Sequence, residues 1–250
     1  MHASTTVMIK TAYLAGYNVV SAVGWAYILW HLCSLLYDDA DVVLSSAKLW
    51  SRIAIPLKYL QTMAMLEVVH ALVGVVRSPV GSTLMQGKGV CTVVVVLSSR
   101  LFVLWVVLVL CPSSRYHWGF LLTIGSWSMV EVPRYAFYAL SVIGWASSLH
   151  MLYNVPDWLF FLRYHLYLIL YITGLVGELT CMVNALPFLS TGIYSIELPN
   201  KHNIAISLHA VVCGMLVLYV VCCPVMYKHM TTQRINAYAK KHGGNNVKAN

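Results

Sequence analysis

Three residues inside one long apolar run have types and spacings that could support acid–base chemistry. The stretch LYITGLVGE carries Tyr171, Gly174 and Glu178. Seven residues of α-helix turn through about 700°, so Tyr171 and Glu178 lie within about 20° of one face and roughly 10 Å apart along the axis. Gly174 lies between them on nearly the same face and leaves a notch. A small polar group could be held there, between a phenol and a carboxyl group.

The same residues also admit a structural interpretation. Tyr171 could hydrogen-bond a neighbouring helix. Glu178 could pair with Arg134 or Arg163, and spacing alone does not separate this interpretation from the chemical one. Ionisable groups in apolar runs are costly and usually functional, so their number matters. The other such groups are Glu67, His70, Arg100 and Glu131. A bundle that encloses a polar site, or a transport pathway, needs that many polar groups, whereas a scaffold does not.

Some of these groups have close partners in the sequence. Glu131 and Arg134 are three residues apart on one predicted helix, so they can pair. Glu67 and His70 have the same spacing. Each pair could equally be a buried bridge that holds two helices in register. Arg163 lies near the start of its apolar run, where its long side chain could reach the lipid headgroups.

Several kinds of chemistry lack their sequence patterns. The ten histidines do not cluster as in H-x-x-H-H, and there is no G-x-S-x-G, P-loop or G-x-G-x-x-G stretch. The seven cysteines contain no C-x-x-C and fall mostly in apolar runs, as small buried hydrophobic residues do. The sequence therefore predicts no metal and no cofactor, and an enzyme here would use side-chain acids and bases.

The composition predicts the elements that position these residues. The chain has 250 residues, 60% hydrophobic and 10% charged, and a mean hydropathy of +0.74. Soluble domains have about 25% charged residues, and a membrane-spanning helix needs roughly 20 apolar ones. We therefore predict an all-α membrane protein, a bundle of six transmembrane helices in a single domain over residues 1–250. The predicted spans are 12–37, 57–76, 90–111, 118–143, 158–186 and 204–226.

The distribution of basic residues predicts the orientation. The tail, about 227–250, carries five basic residues and no acid: Lys228, Arg234, Lys240, Lys241 and Lys248. Basic residues near span ends favour the cytosol, and an even number of spans then puts both termini there. The net charge of +8 fits this topology and an affinity for anionic lipid. Because the basic residues form no single folded patch, no nucleic-acid partner is expected.

Five blocks in the sequence resemble one known family. They are YNVVSAVGWAYIL, LEVVHALVGVVRSPVGSTLMQ, SRLFVLW, SWSMVEVPRYAFY and LRYHLYLILYITGLVGE, in this order. In these blocks, and in PVMYKHMTTQR near the tail, the chain is similar to the very-long-chain (3R)-3-hydroxyacyl-CoA dehydratases, also called the protein tyrosine phosphatase-like family. The resemblance covers the chain from about Tyr17 to the tail.

The resemblance implies a six-span enzyme of fatty-acid elongation in the endoplasmic reticulum membrane. Its catalytic tyrosine and glutamate, from a Y-P-x-G-x-x-x-E segment, fall on Tyr171 and Glu178. Its other polar or glycine positions inside the membrane match Gly174, Glu67, Gln86, Arg100, Glu131, Arg134 and Arg163. The implied partners are a very-long-chain 3-hydroxyacyl-CoA, the lipid bilayer and other enzymes of the elongation cycle.

The implied reaction is loss of water from the 3-hydroxyacyl-CoA, which gives the trans-2-enoyl-CoA. We expect Glu178 to act as the base and Tyr171 as the acid, with the reverse assignment open. The acyl chain would lie in the bundle, and the phosphates of coenzyme A would lie near Arg77, Lys88 or the tail.

Three departures from the family pattern leave alternatives open. Ile172 replaces the family's proline, Pro133 replaces an aliphatic residue, and residues 87–98 form an insertion. An inactive family member that acts as a scaffold for elongation enzymes is one alternative, and a small membrane transporter is another.

Overall fold

The described part of the chain is almost wholly helical. The computed structural model describes residues 2–38, 41–73, 98–146, 155–196 and 206–247. Within these ranges the helices are α1 His2–Asp38, α2 Val42–Met63, α3 Met65–Leu72, α4 Ser98–Val109, α5 Trp118–Ala146, α6 Asp157–His165, α7 Tyr167–Leu189 and α8 Leu208–Val247. An isolated β-bridge joins Ile196 and Ile206. The all-α prediction is confirmed for these residues.

Three helical stretches are long and apolar enough to cross a membrane: Met8–Asp38, Asp157–Leu189 and Leu208–Ala239. The outer face of α8 is built from exposed valines, among them Val217, Val220 and Val225, each about two-thirds exposed. An apolar outer face of this kind suits lipid and not water. The six-span arrangement stays a prediction.

Helix α5 is long enough to cross a membrane, since its 29 residues extend for about 43 Å, but it is less apolar than these three stretches. The reason is its position in the bundle, where it packs against both α1 and α7. Helix α5 therefore places polar groups such as Thr123, Ser128 and Glu131 inside the protein, where they are buried. A helix surrounded by protein does not need an apolar surface on every side.

The region before the second predicted span is helical. α2 begins at Val42, so the predicted start near Leu57 was wrong. The Asp41 side chain caps the helix by accepting hydrogen bonds from the backbone N–H groups of Val43 at 2.8 Å and Leu44 at 3.3 Å. The helix is amphipathic and buries Leu49, Ile53, Leu57 and Leu60. Charged residues interrupt the apolar ones in this stretch, so its composition did not predict a span.

The other predicted spans correspond to helices with different ends. The third lies partly outside the described residues, and α4 covers its later part, with a π-helical segment over Val103–Val109. The fourth matches α5. The fifth divides into α6 and α7 at Leu166, and the sixth continues as α8 to Val247.

Close packing of α5 against α7 depends on glycines. A Cβ atom at Gly177 would lie 2.6 Å from Thr123 Oγ1, 2.8 Å from the Thr123 backbone nitrogen and 3.0 Å from the Gly119 carbonyl oxygen. Two of these three atoms belong to the backbone, which cannot move aside without shifting α5. Gly177 therefore sets the distance between the two helices.

We expect Gly177→Ala to destabilise the bundle by about 1–3 kcal/mol, because the new methyl group overpacks the contact between α5 and α7. The measurement is the midpoint of thermal unfolding in detergent. Gly214→Ala on α8 is the matched control, since a Cβ atom there meets nothing within 4 Å. Equal midpoints for the two variants would contradict the role given to Gly177.

Candidate active site

A partly open cavity lies between α4, α5, α7 and α8. Its volume is 360 Å³, within the usual size range of small-molecule sites. Its walls are mostly apolar, with a few polar groups among them. The residues that line it include Ser99, Arg100, Ser126, Trp127, Tyr167, Leu170, Tyr171, Gly174, Leu175, Glu178, Met215, Leu218, Tyr219, Cys223, Met226 and Met230.

The carboxyl group of Glu178 is held by two donors from other helices. The Tyr219 hydroxyl donates to Glu178 Oε2 at 2.7 Å, and the Trp127 indole N–H donates to Oε1 at 2.7 Å. All three side chains are buried. Each carboxyl oxygen has a second lone-pair site, so the group is fixed in position and can still accept a proton from the cavity.

Tyr171 lines the same cavity but does not touch Glu178. Its hydroxyl donates to the backbone carbonyl of Cys223 on α8 at 3.2 Å, and its ring lies 6.0 Å from that of Tyr227. The structural interpretation of Tyr171, a hydrogen bond to a neighbouring helix, is therefore correct for this structure. The phenol still lines the cavity, two helical turns from the carboxyl group.

Gly174 lies between the two residues and faces α5. A Cβ atom there would lie 3.2 Å from the Cβ atom of Ser126. The Ser126 hydroxyl also shares a hydrogen bond of 2.9 Å with the hydroxyl of Thr173. The absence of a side chain at Gly174 thus serves close helix packing and also leaves room in the cavity wall.

A partly buried network of charged groups lies beside the cavity, with Glu131 as its most buried member. The Arg134 guanidinium donates to both carboxyl oxygens of Glu67, at 2.8 and 3.0 Å, and to Glu131 Oε2 at 2.5 Å. Arg100 donates to Glu131 Oε1, and the Tyr135 hydroxyl donates to Glu67 at 2.6 Å. The predicted pair of Glu131 and Arg134 is confirmed.

The network reaches the cavity through Arg100. This residue lines the cavity, and its guanidinium carbon lies 4.9 Å from the ring centre of Trp127. Trp127 in turn holds Glu178. The carboxyl group is therefore linked to the charge network through one cation–π contact and one hydrogen bond.

Two pairings that the sequence left open are not formed by these residues. Glu178 pairs with neither Arg134 nor Arg163, because Arg134 is bound by two other carboxylates and Glu178 is bound by neutral donors. Glu67 does not pair with His70. The His70 ring lies 2.9 Å from the hydroxyl of Tyr13 on α1, which is a closer partner across the helix interface.

Arg163 does not line the cavity. The Arg163 guanidinium donates to the Tyr138 hydroxyl at 3.0 Å and faces the rings of Tyr138 and Tyr164. Gln86, Arg77 and Lys88 lie outside the described residues. Among the residues that the structure does describe, no group of three or more His, Cys, Asp or Glu side chains could hold a metal ion.

The two departures within the described residues leave both helices continuous. α7 runs unbroken through Ile172, whose side chain is half exposed and faces away from the cavity. Pro133 lies inside α5, between Glu131 and Arg134. Because proline has no backbone N–H, α5 lacks one helical hydrogen bond beside the charge network.

Sequence reasoning missed Trp127 and Tyr219. Trp127 stood within one of the family blocks, and Tyr219 stood in the sixth predicted span, but neither side chain is charged. The sequence gives only a weak indication of their role. A buried Trp or Tyr needs a partner for its N–H or O–H group, and an apolar span offers few acceptors.

The fold is a helical bundle with an apolar outer surface. Its apolar cavity contains a fixed carboxyl group and a phenol. The carboxyl group and the phenol line the same cavity, two helical turns apart. Comparison with known proteins gives the family. The family model described as protein tyrosine phosphatase-like protein, PTPLA, matches residues 61–240. The chain belongs to this family, and the predicted resemblance is confirmed.

Named relatives cover almost the whole chain. The very-long-chain (3R)-3-hydroxyacyl-CoA dehydratase hpo-8 of Caenorhabditis elegans is 36% identical over 89% of this chain and 92% of its own length. The very-long-chain (3R)-3-hydroxyacyl-CoA dehydratase PASTICCINO 2 of Arabidopsis thaliana is 33% identical over 93% and 96%. The very-long-chain (3R)-3-hydroxyacyl-CoA dehydratase 2 of Homo sapiens is 33% identical over 94% and 84%. No solved structure matches the chain.

Proposed function

We propose that this protein dehydrates very-long-chain (3R)-3-hydroxyacyl-CoA to the trans-2-enoyl-CoA. The relatives' names support the activity, a carbon–oxygen lyase reaction. One structural observation carries the proposal for the site. Glu178 holds a buried carboxyl group, fixed by Trp127 and Tyr219, in an apolar cavity that also contains the phenol of Tyr171.

The elimination needs one base and one acid, and the cavity offers both. The Glu178 carboxylate takes the proton from C2 of the substrate, and the electrons of that C–H bond form the C2–C3 double bond. The C3–O bond breaks as the Tyr171 phenol gives its proton to the departing hydroxyl, which leaves as water. The released water then takes the proton of the neutral Glu178 carboxyl and gives one of its own to the Tyr171 phenolate, which restores both groups before it leaves.

The surrounding residues favour this reaction in different ways. Trp127 and Tyr219 stabilise the carboxylate and fix its orientation, so the polar groups around it need little reorganisation during the reaction. The apolar wall, which includes Leu170, Leu175 and Met215, suits an acyl chain, and the bound chain takes the place of water beside the reacting atoms. No step draws on a cofactor.

We extend the proposal to six spans in the endoplasmic reticulum membrane, with both termini in the cytosol and other elongation enzymes as partners. The apolar outer surface and the basic α8 support a membrane location with a cytosolic tail. A glycosylation acceptor fused after Asn250 is expected to stay unmodified in cells. A glycosylated acceptor would overturn the orientation.

Turnover by the purified protein is the experiment that tests the function. Monodisperse protein in detergent is incubated with a very-long-chain (3R)-3-hydroxyacyl-CoA, and formation of the enoyl-CoA is followed. We expect turnover. A folded protein without turnover would indicate the inactive scaffold.

A further inference from the structure

A second groove lies at the end of the seam between α6 and α8, beyond the catalytic cavity. The Arg234 guanidinium contacts Nε2 of His165 at 2.7 Å, and the Tyr238 hydroxyl lies 3.4 Å from Nδ1 of the same ring. Lys241 contacts the Asp157 carboxylate one step further along. Basic side chains of α8 thus contact side chains of α6 at successive positions along the two helices.

Arg234 carries a positive charge that its neighbours do not balance. Its partner His165 has Nδ1 beside the Phe161 carbonyl at 3.1 Å, so Nδ1 donates there and Nε2 accepts from the guanidinium as a neutral imidazole. Among the described residues, no carboxylate forms an ion pair with Arg234, and the one acid nearby, Asp157, is paired with Lys241. Helix α8 contains no acidic residue. An anion would complete this arrangement.

The groove beside these cations has aromatic walls. Its volume is 610 Å³, and its lining includes Trp158, Phe160, Phe161 and Tyr238, with Lys241 at its edge. The Phe161 ring stacks on the His165 ring, with centres 4.0 Å apart and planes 15° apart. Flat aromatic surfaces next to cations suit a ligand that joins a heteroaromatic ring to phosphates.

The distance to the catalytic cavity fits such a ligand. Met230 lines the cavity, and Arg234 follows it by one helical turn on the same face of α8. Arg234 lies 15 residues from Tyr219, about 22 Å along the axis. The pantetheine arm of coenzyme A is about as long as an extended chain of four to five residues, roughly 16 Å. The side chains of the binding residues at the two ends span the remaining distance of roughly 6 Å.

We propose that the phosphates of coenzyme A bind at Arg234 and His165, with the adenine in the aromatic groove lined by Phe161, Trp158 and Tyr238. This inference rests on the proposed function, because it takes the substrate to be a coenzyme A thioester. Of the three places expected for the phosphates, which were Arg77, Lys88 and the tail, it selects the tail, through Arg234.

Binding of coenzyme A itself tests the site without any chemistry. Calorimetry on the purified protein compares coenzyme A with pantetheine, which lacks the nucleotide and its phosphates. We expect Arg234→Ala to weaken coenzyme A binding roughly 10- to 100-fold, as expected for the loss of a charge-assisted contact, and to leave pantetheine binding unchanged. Lys228→Ala is the matched control, since it removes an exposed cation from the same helix outside the groove.

Kinetics with two thioesters of one 3-hydroxyacyl chain give an independent readout. Arg234→Ala should raise KM for the coenzyme A thioester by a similar factor and leave kcat/KM for the pantetheine thioester unchanged. An equal loss with both thioesters would mean a structural role for Arg234, and no loss with either would overturn the site. Wild-type protein that turns over neither thioester, yet binds coenzyme A through Arg234, would refute the proposed function alone.

Anionic lipid headgroups offer the same phosphate chemistry, so binding is also measured with vesicles of neutral and of acidic phospholipid. Under the proposal, Arg234→Ala and Lys228→Ala weaken vesicle binding to a similar small extent, while only Arg234→Ala weakens coenzyme A binding. A variant Arg234→Ala that loses acidic-vesicle binding but keeps coenzyme A affinity would assign the site to lipid and overturn the proposal.

Discussion

Replacing Glu178 with glutamine is expected to lower turnover of the 3-hydroxyacyl-CoA by roughly 10²–10⁴-fold while the protein stays folded. Glutamine has the same shape but cannot take the C2 proton. The Trp127 N–H can still donate to the amide oxygen, and the Tyr219 hydroxyl can rotate to accept from the amide nitrogen. Turnover and monodispersity in detergent are measured on the same preparation.

Tyr171→Phe tests the acid in the same assay, and we expect a loss of similar size. Tyr219→Phe is the informative comparison. If Tyr219 only holds the carboxylate, its loss lowers kcat less than the loss of Tyr171 does. Because Tyr171 and Glu178 act on one elimination, the double variant should be little worse than the worse single one. A double variant with near-normal turnover would refute the catalytic assignment.

Removing the charge of Arg134 is expected to affect folding as well as activity. Arg134→Ala leaves the carboxylates of Glu67 and Glu131 without their shared partner inside the bundle. Breaking a buried ion pair from one side costs about 3–5 kcal/mol. We therefore expect a lower yield of folded protein and a lower midpoint of thermal unfolding in detergent. Arg52→Ala, at an exposed position on α2, is the control.

A double variant tests whether the loss of stability comes from unpaired carboxylates. Arg134→Met together with Glu67→Gln removes one charge of each sign, so the double variant should recover part of the lost stability. Full yield and full activity of Arg134→Ala would show that the network is peripheral to both folding and catalysis.

Apolar runs located the long apolar helices and missed the part of α2 in which basic residues interrupt the apolar ones. The run at 118–143 agrees closely with α5, and 204–226 agrees with the start of α8. Helix α2 was missed over its first half because Lys48 and Arg52 interrupt the apolar residues there. A window that averages all faces of a helix cannot detect such an element.

The site was predictable only as far as one helix could specify it. The spacing in LYITGLVGE gives the common face of Tyr171, Gly174 and Glu178, which all line one cavity. The groups that bind Glu178 are 51 and 41 residues away in sequence, on α5 and α8. No spacing rule links residues on separate helices, so the sequence offered only arginines as possible partners of Glu178, whereas the fold supplies neutral donors.

The unbroken length of α8 places a constraint on insertions and deletions. Its 40 residues extend for about 60 Å, roughly twice the hydrocarbon thickness of a bilayer. One added residue between Met230 and Arg234 would rotate everything beyond it by about 100° and turn the guanidinium away from α6. Seven residues, two full turns, form the smallest insertion that nearly restores the phase, and they would shift Arg234 by about 10 Å. We therefore expect an insertion in this segment to be more disruptive than a substitution of one of its outward-facing side chains.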